Sequence, residues 1–475
     1  MPTDTAVPTP APTHPRRWTA LALICAAQFM LILDVTVVNV ALPTLSTDLD
    51  LSRTALTWVV TAYTLCFGGL MLLGGRLADA LGARRVLLAG LALFTAASLV
   101  CGLAPNAPVL LAGRVAQGVG AALLSPAALA LVTTAFHGAE RAKALGAWAA
   151  IGGTGSAVGV LLGGALTEGP GWPWIFYVNV PVGLALLAAL PKVLPDDRRP
   201  RRTGGGRLDA PGALLVTTAT GALVYGLVQA GDSGWASAAT LLPLIGALAL
   251  YGAFAAVERA SSAPLMDLGM LRRRPVVAGS LLMLVATALL ISFFFLGSMQ
   301  LQHVHGLGAL RTGLLFLPIA LTTAIGAHLG SRLVTTRGPR ACATGGLALA
   351  ALGCLPLTVL TPGANPWATL LPALATGSFG LGAVFVAATT TALGLITPHE
   401  AGLASGIVNT FHEVGGSIGV AAVSTLALTA TTGSLSGFTT AFTLCTVTAA
   451  TAALTAPFLI PRGTPRPTGG PHGVH

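Results

Sequence analysis

Three ionisable residues stand inside long apolar runs of this chain: Asp34 in LILDVTVVNVALP, Arg114 in LLAGRVAQGVGAA and Glu413 in GIVNTFHEVGGSIG. A charge near the middle of a membrane-spanning helix costs roughly 2.5–3.5 kcal/mol of insertion free energy, so each is expected to face a polar pathway or a partner. Asn39 adds an amide to the run that holds Asp34. Counted from the expected helix ends, Asp34 lies about 12 Å and Arg114 about 8 Å below one face, so the two could share a layer. A direct ion pair would neutralise both charges, and protonation of Asp34 would then release Arg114, which is a coupling device. The plainer reading makes Arg114 a structural donor to carbonyls or to Gln117, and Asp34 a hydrogen-bonded acid.

Glu413 falls about ten residues into its run, near mid-depth. His412 precedes it, and His328 stands near the end of another run. An Asp, a Glu and a His in helices are the parts of a proton relay, although a single intramembrane His is also a common hydrogen-bonder. Gly155, Gly159 and Gly163 recur at i, i+4 and i+8, joined by Gly152, Gly153, Ser156 and Gly164. Stacked glycines open a groove that lets a second helix approach closely, either as fixed packing or as a contact that slides or rocks.

What must position these residues is a membrane. With 54% hydrophobic and 8% charged residues over 475 positions, and a mean hydropathy of +0.81, the chain is too apolar for a soluble domain. The net charge of +10 therefore belongs to short loops, and no nucleic-acid partner is expected. All six cysteines fall in apolar runs without C-x-x-C spacing, so they read as packing residues. No P-loop occurs. Gly415 to Gly419 fits G-x-S-x-G, but it lies in a spanning run and not at a strand-to-helix turn. His303 and His305 lack a Cys or an acid beside them and are weak as metal ligands.

Cutting the chain at charges and polar breaks gives fourteen spans, near 18–42, 54–74, 86–104, 109–132, 144–166, 174–194, 209–230, 237–257, 275–300, 312–331, 341–361, 368–392, 403–427 and 438–460. With the amino terminus inside, all the 25 basic residues except Arg53, Arg114 and Arg311 fall on the cytoplasmic side, which favours two cytoplasmic termini. Residues 1–17, rich in Pro and Thr, read as a disordered cytoplasmic tail, and 461–475 as a second cytoplasmic tail. Arg76 to Arg84, RLADALGAR, aligns without gaps on Arg332 to Arg340, RLVTTRGPR, 256 residues later and in an equivalent loop. Two halves in parallel repeat are expected, 18–194 and 275–460, separated by a linker at 195–274. That linker holds a charged stretch from Asp196 to Arg207, two extra spans, and a segment, Ser261 to Arg274, that suggests a short interfacial helix.

Together the motifs resemble those of the major facilitator superfamily, and within it the fourteen-span drug:proton antiporters of bacteria. The resemblance rests on LDVTVVNVALP, WVVTAYTL (Trp58–Leu65), GRLADALGARR (Gly75–Arg85), RVAQGVGAA (Arg114–Ala122), WPWIFYVNVPVG (Trp172–Gly183) and AGLASGIVNT (Ala401–Thr410). It implies an all-α membrane protein of two six-helix bundles with two additional central helices. Asp34 would match the family's acid for cation recognition or proton coupling, and Arg114 the arginine of proton transfer. Gly75, Asp79, Gly82, Arg84 and Arg85 would match the loop that latches the halves, and Gly155, Gly159, Gly163 and Gly164 the antiporter motif. Val160 stands where that motif has proline, Pro173 where an arginine is usual between two tryptophans, and Glu413 where glutamine is common.

The resemblance thus implies a bacterial plasma-membrane exporter of hydrophobic or amphipathic small molecules, driven by the proton gradient without a bound cofactor or metal. Protons, small-molecule substrate and membrane lipid are the expected partners, and a monomer the expected state. An importer or exporter of one metabolite would share the fold. A membrane enzyme is disfavoured, because no metal cluster or nucleophile-base pair is evident.

Overall fold

A computed structural model describes residues 16–136, 138–195, 210–261, 269–360, 365–394, 401–427 and 435–461. Among these residues all regular structure is helical. The helices are α1 (Arg17–Asp48), α2 (Arg53–Leu81), α3 (Ala83–Gly102), α4 (Ala107–Ala135), α5 (Gly138–Glu168), α6 (Trp174–Tyr177), α7 (Asn179–Val193), α8 (Ala210–Ser233), α9 (Ala238–Ala260), α10 (Arg274–Met299), α11 (Ala309–Cys354), α12 (Leu370–Leu393), α13 (Ala401–Ala427) and α14 (Ser436–Leu459). Ser52, Asn106 and Ser237 cap α2, α4 and α9 by accepting from Ala55, Val109 and Thr240 backbone N–H groups, so these helices begin where polar side chains can stand.

Among the described residues, ten helical stretches are long and apolar enough to cross a membrane, against the fourteen expected. One of the ten, Ala309–Val359, contains two expected spans, while α5, α8 and α13 lie outside the set. The span at 174–194 is present as Trp174–Val193, with α6 and α7 meeting at Val178, whose backbone stays helical. One expected boundary is corrected. The expected loop at 332–340 is instead helical on both sides of a kink at Gly338, where φ is +85°. The tails at 1–15 and 462–475, most of the Asp196–Arg207 stretch, and residues 262–268 of the expected interfacial helix lie outside the described residues; a 3-10 turn spans Met270–Arg272.

The repeat is visible in backbone detail. Gly82, with φ +101°, turns the chain between α2 and α3, and Gly338, 256 residues later, makes the corresponding turn within α11. Both need the left-handed region that glycine enters without a Cβ penalty. Two further pairs share that offset. Gly74 presses on the backbone of α4 at Ala122 and Gly330 on α12 at Ala383; Gly90 meets α4 at Gly120 and Gly346 meets α12 at Gly380.

In one half α4 packs on α2 and α3, α5 on α1, and α7 on α3; in the other α12 packs on α10 and α11, α13 on α10, and α14 on α11. The halves meet along two seams, α2 with α13 and α5 with α11. At the first, Thr57 Oγ1 donates to Ser424 Oγ (3.0 Å) and Thr64 Oγ1 lies 2.6 Å from Ser417 Oγ. At the second, Glu168 Oε2 accepts from the Leu310 backbone N–H at 2.8 Å, and Gly313 abuts the Val160 carbonyl. Gln302 Nε2, in a π-helical turn after α10, donates to the Val40 carbonyl at 2.8 Å. Helix α8 pairs with α9 and touches both α2 and α13, so it lies across the first seam.

Candidate functional site

Asp34 is fully buried on α1 and receives three donors. Arg114 Nη1 reaches Oδ2 at 2.5 Å, while Gln117 Nε2 and Asn179 Nδ2 each reach Oδ1 at 3.0 Å. The ion pair and the structural role set out as alternatives for Arg114 coexist. Its Nη1 also donates to Gln117 Oε1 (2.8 Å), its Nε donates to the Val59 carbonyl (2.9 Å), and its guanidinium lies 4.4 Å from the Tyr63 ring centroid. Gln117 is fixed in turn, because Nε2 also donates to Ser98 Oγ (2.8 Å) and Oε1 accepts from Cys101 Sγ (3.4 Å). Five helices, α1, α2, α3, α4 and α7, thus supply one buried network.

Its chemistry follows from the donor count. An ionised carboxylate only accepts, and every contact to Asp34 is an N–H donor. A proton on Asp34 would set O–H against N–H and remove the charge that holds Arg114 in place. Removing one partner of such a buried pair while leaving the other costs about 3–5 kcal/mol.

The glycines fit one wall of this network. A Cβ on Gly155 would meet Ile32, one on Gly159 would strike Thr36 and approach the Leu33 carbonyl, and one on Gly163 would meet Val37, so α5 lies directly on the α1 stretch that carries Asp34. Gly164 faces the other way, onto Ala309 and Leu310 of α11. Helix α5 runs unbroken through Val160.

Asn39 stands apart from Asp34. Its Nδ2 donates to the Val35 carbonyl at 2.7 Å, and its buried Oδ1 has no hydrogen-bond partner among the described residues. Glu413 lies elsewhere too, at the α2–α13 seam where α13 leaves no room for a side chain on Gly68. Its side chain keeps 14% exposure, and His412 Nε2 lies 3.9 Å from its Oε1. His412 Nδ1 is 2.7 Å from Thr287 Oγ1, and its ring lies 5.7 Å from that of Phe385. His328 is exposed on α11. In the α2–α3 turn, Arg84 Nη2 donates to the Pro191 carbonyl at 2.8 Å; Gly75 is half-buried and packs toward Pro126, Arg85 is exposed, and the Asp79 side chain lies outside the described residues.

Asn179, Ser98 and Tyr63 are members that residue-level reading passes over. Asn179 had a signal, as a lone amide beside a proline in an apolar run, but nothing in its position along the chain pointed to Asp34, 145 residues away.

Fold and site define a multi-pass membrane protein with a charged pair sealed inside one half. Comparisons agree. The major facilitator superfamily model matches residues 24–420. The chain is 42% identical over 427 residues to the puromycin resistance protein of Streptomyces alboniger, covering 89% of this chain and 84% of that one. It is 38% identical over 419 residues to the cephamycin export protein of Amycolatopsis lactamdurans (88% and 86% covered), and 36% identical over 422 residues to the lincomycin resistance protein of Streptomyces lincolnensis (85% and 83%). In fold it is similar to the crystal structure of a bacterial homologue of the human lysosomal transporter Spinster, with TM-score 0.66, 17% identity, and 94% and 98% of the two chains covered. The chain belongs to the major facilitator superfamily and is a membrane transporter.

Proposed function

We propose that the protein exports hydrophobic or amphipathic small molecules by proton-coupled alternating access, with fourteen spans, both termini cytoplasmic, and six-helix halves at 18–194 and 275–460. The observation that carries the coupling is the sealed Asp34–Arg114 pair: when Asp34 takes up a proton, Arg114 loses the one carboxylate that pairs with it among the described residues. Because α5 packs on α1 at the same level, rearrangement of the pair is transmitted to the helix that also forms the α5–α11 seam. Relatives named for puromycin resistance, lincomycin resistance and cephamycin export support outward transport of antibiotic-like molecules. The cephamycin relative also supports a second reading, export of one particular metabolite.

The test is uptake of ethidium into everted membrane vesicles energised by respiration. Uptake that a protonophore abolishes, and that Asp34→Asn removes, is expected. Uptake that persists without a proton gradient, or that follows ATP or sodium, would contradict the reading.

A further inference from the structure

Asp34 and Glu413 both stand well inside their helices, and their surroundings differ in a way that separates their roles. Both oxygens of Asp34 are occupied, one by Arg114 and the other by Gln117 and Asn179, and the side chain is fully buried. An incoming cation would have to displace an arginine to reach it. Glu413 is the opposite case. Among the described residues its carboxylate accepts no hydrogen bond, and the 3.9 Å separation from His412 Nε2 is too long for one.

The setting of His412 adds to the contrast. Thr287 Oγ1 lies 3.0 Å from the Met283 carbonyl and 2.7 Å from His412 Nδ1, a contact that holds the ring with Nε2 toward Glu413. A neutral imidazole there supplies no charge to offset the acid. The side chains of His412 and Glu413 keep 38% and 14% exposure, so an approach to the carboxylate remains. Around it the walls suit an organic cation. Half-buried Phe385 flanks the histidine, its ring 5.7 Å from the imidazole, and Gly68 of α2 lies against the Glu413 backbone and Cβ across the seam. An unpaired charge in so apolar a setting is costly, and an opposite charge on a ligand relieves that cost.

We propose that Glu413, flanked by His412 and Phe385, is the subsite that receives the cationic centre of an amphiphilic substrate, while Asp34 stays engaged by Arg114. This rests on the transport reading above. It places cation recognition at the α2–α13 seam, between the halves, where closure on a ligand couples binding to the relative movement of the two bundles.

Equilibrium binding of tetraphenylphosphonium to purified full-length protein in detergent tests it and needs no proton gradient, so failure of the coupling reading leaves the result intact. Glu413→Gln is expected to weaken tetraphenylphosphonium binding by about tenfold or more, as loss of a poorly solvated charge partner should. Binding of chloramphenicol, a neutral amphiphile, should be retained, and Glu413→Asp should restore part of the cation affinity. In the unmodified protein, tetraphenylphosphonium should protect Glu413 from dicyclohexylcarbodiimide, read by mass spectrometry of the peptide, which keeps the test independent of variant folding. Unchanged cation binding in Glu413→Gln, equal loss of both ligands, loss in Asp34→Asn alone, or absence of protection would each overturn the proposal.

Discussion

Arg114 and Gln117, three residues apart on α4, grip the same carboxylate from its two oxygens: Arg114 Nη1 holds Asp34 Oδ2, and Gln117 Nε2 holds Oδ1. They also bond to each other, which closes a three-membered ring of side chains. Because i and i+3 share a helix face, one helix presents a two-point clamp to a single residue of α1. Such a ring behaves as a unit, so its members cannot be removed independently.

A double-mutant cycle measures that unity. Asp34→Asn and Arg114→Gln should each reduce gradient-driven ethidium uptake by about a hundredfold, and the double variant by little more than either alone. In thermal unfolding, each single variant should lose more stability than the double, because each strands a buried partner. Independent, additive effects would show that the pair does not act together.

The repeated turn glycines give a second expectation. Gly82→Ala and Gly338→Ala each force a Cβ into left-handed backbone, at about 1–2 kcal/mol apiece. Both should lower the melting temperature in detergent by similar amounts. Gly246→Ala, on α9 with open space around it, should be neutral or slightly stabilising. A tolerated Gly338→Ala beside a damaging Gly82→Ala would mean that the two turns are not equivalent.

Much of this architecture was legible in the sequence because its causes are local. Apolar runs must span, and the 256-residue echo of RLADALGAR placed Gly338 correctly opposite Gly82. How far the helices run into 332–340 was not legible, since Arg332, Arg337 and Pro339 read as a loop when they stand on two helical stretches that meet at the single non-helical residue Gly338. Site membership divides the same way. Asp34 and Arg114 announce themselves by the cost of burying charge, and their depths placed them in one layer. Asn179 and Ser98 are ordinary polar residues whose part in the network depends on how α3 and α7 pack on α1 and α4, which periodicity does not encode. The free state of Glu413, against the saturated state of Asp34, is likewise a property of packing.

The tight packing of α5 on α1 yields a third prediction. Gly159 sits where any side chain would collide with Thr36 and press on the Leu33 carbonyl, directly beside Asp34. Gly159→Leu should therefore abolish uptake and lower stability, with Gly159→Ala intermediate, because overpacking a close helix contact costs about 1–3 kcal/mol. Residual transport following side-chain volume would identify the α1–α5 distance as the controlled quantity; full activity in Gly159→Leu would remove this contact from the mechanism.

The α2–α13 seam gives the most direct test of alternating access. Thr64 Oγ1 and Ser417 Oγ lie 2.6 Å apart across the two halves, so cysteines at these positions fall within the reach of a disulfide, whose Cβ atoms are about 3.5–4.5 Å apart. Because Cys25, Cys66, Cys101, Cys342, Cys354 and Cys445 are all free thiols, the pair is placed in a background in which they are replaced by alanine. Oxidation of the Thr64→Cys, Ser417→Cys double variant should stop ethidium uptake, because the halves can no longer separate at this level, and a reductant should restore it. Each single variant should transport under both conditions. Uptake that continues at its normal rate in fully cross-linked protein would show that this seam stays closed throughout the cycle and that access alternates elsewhere.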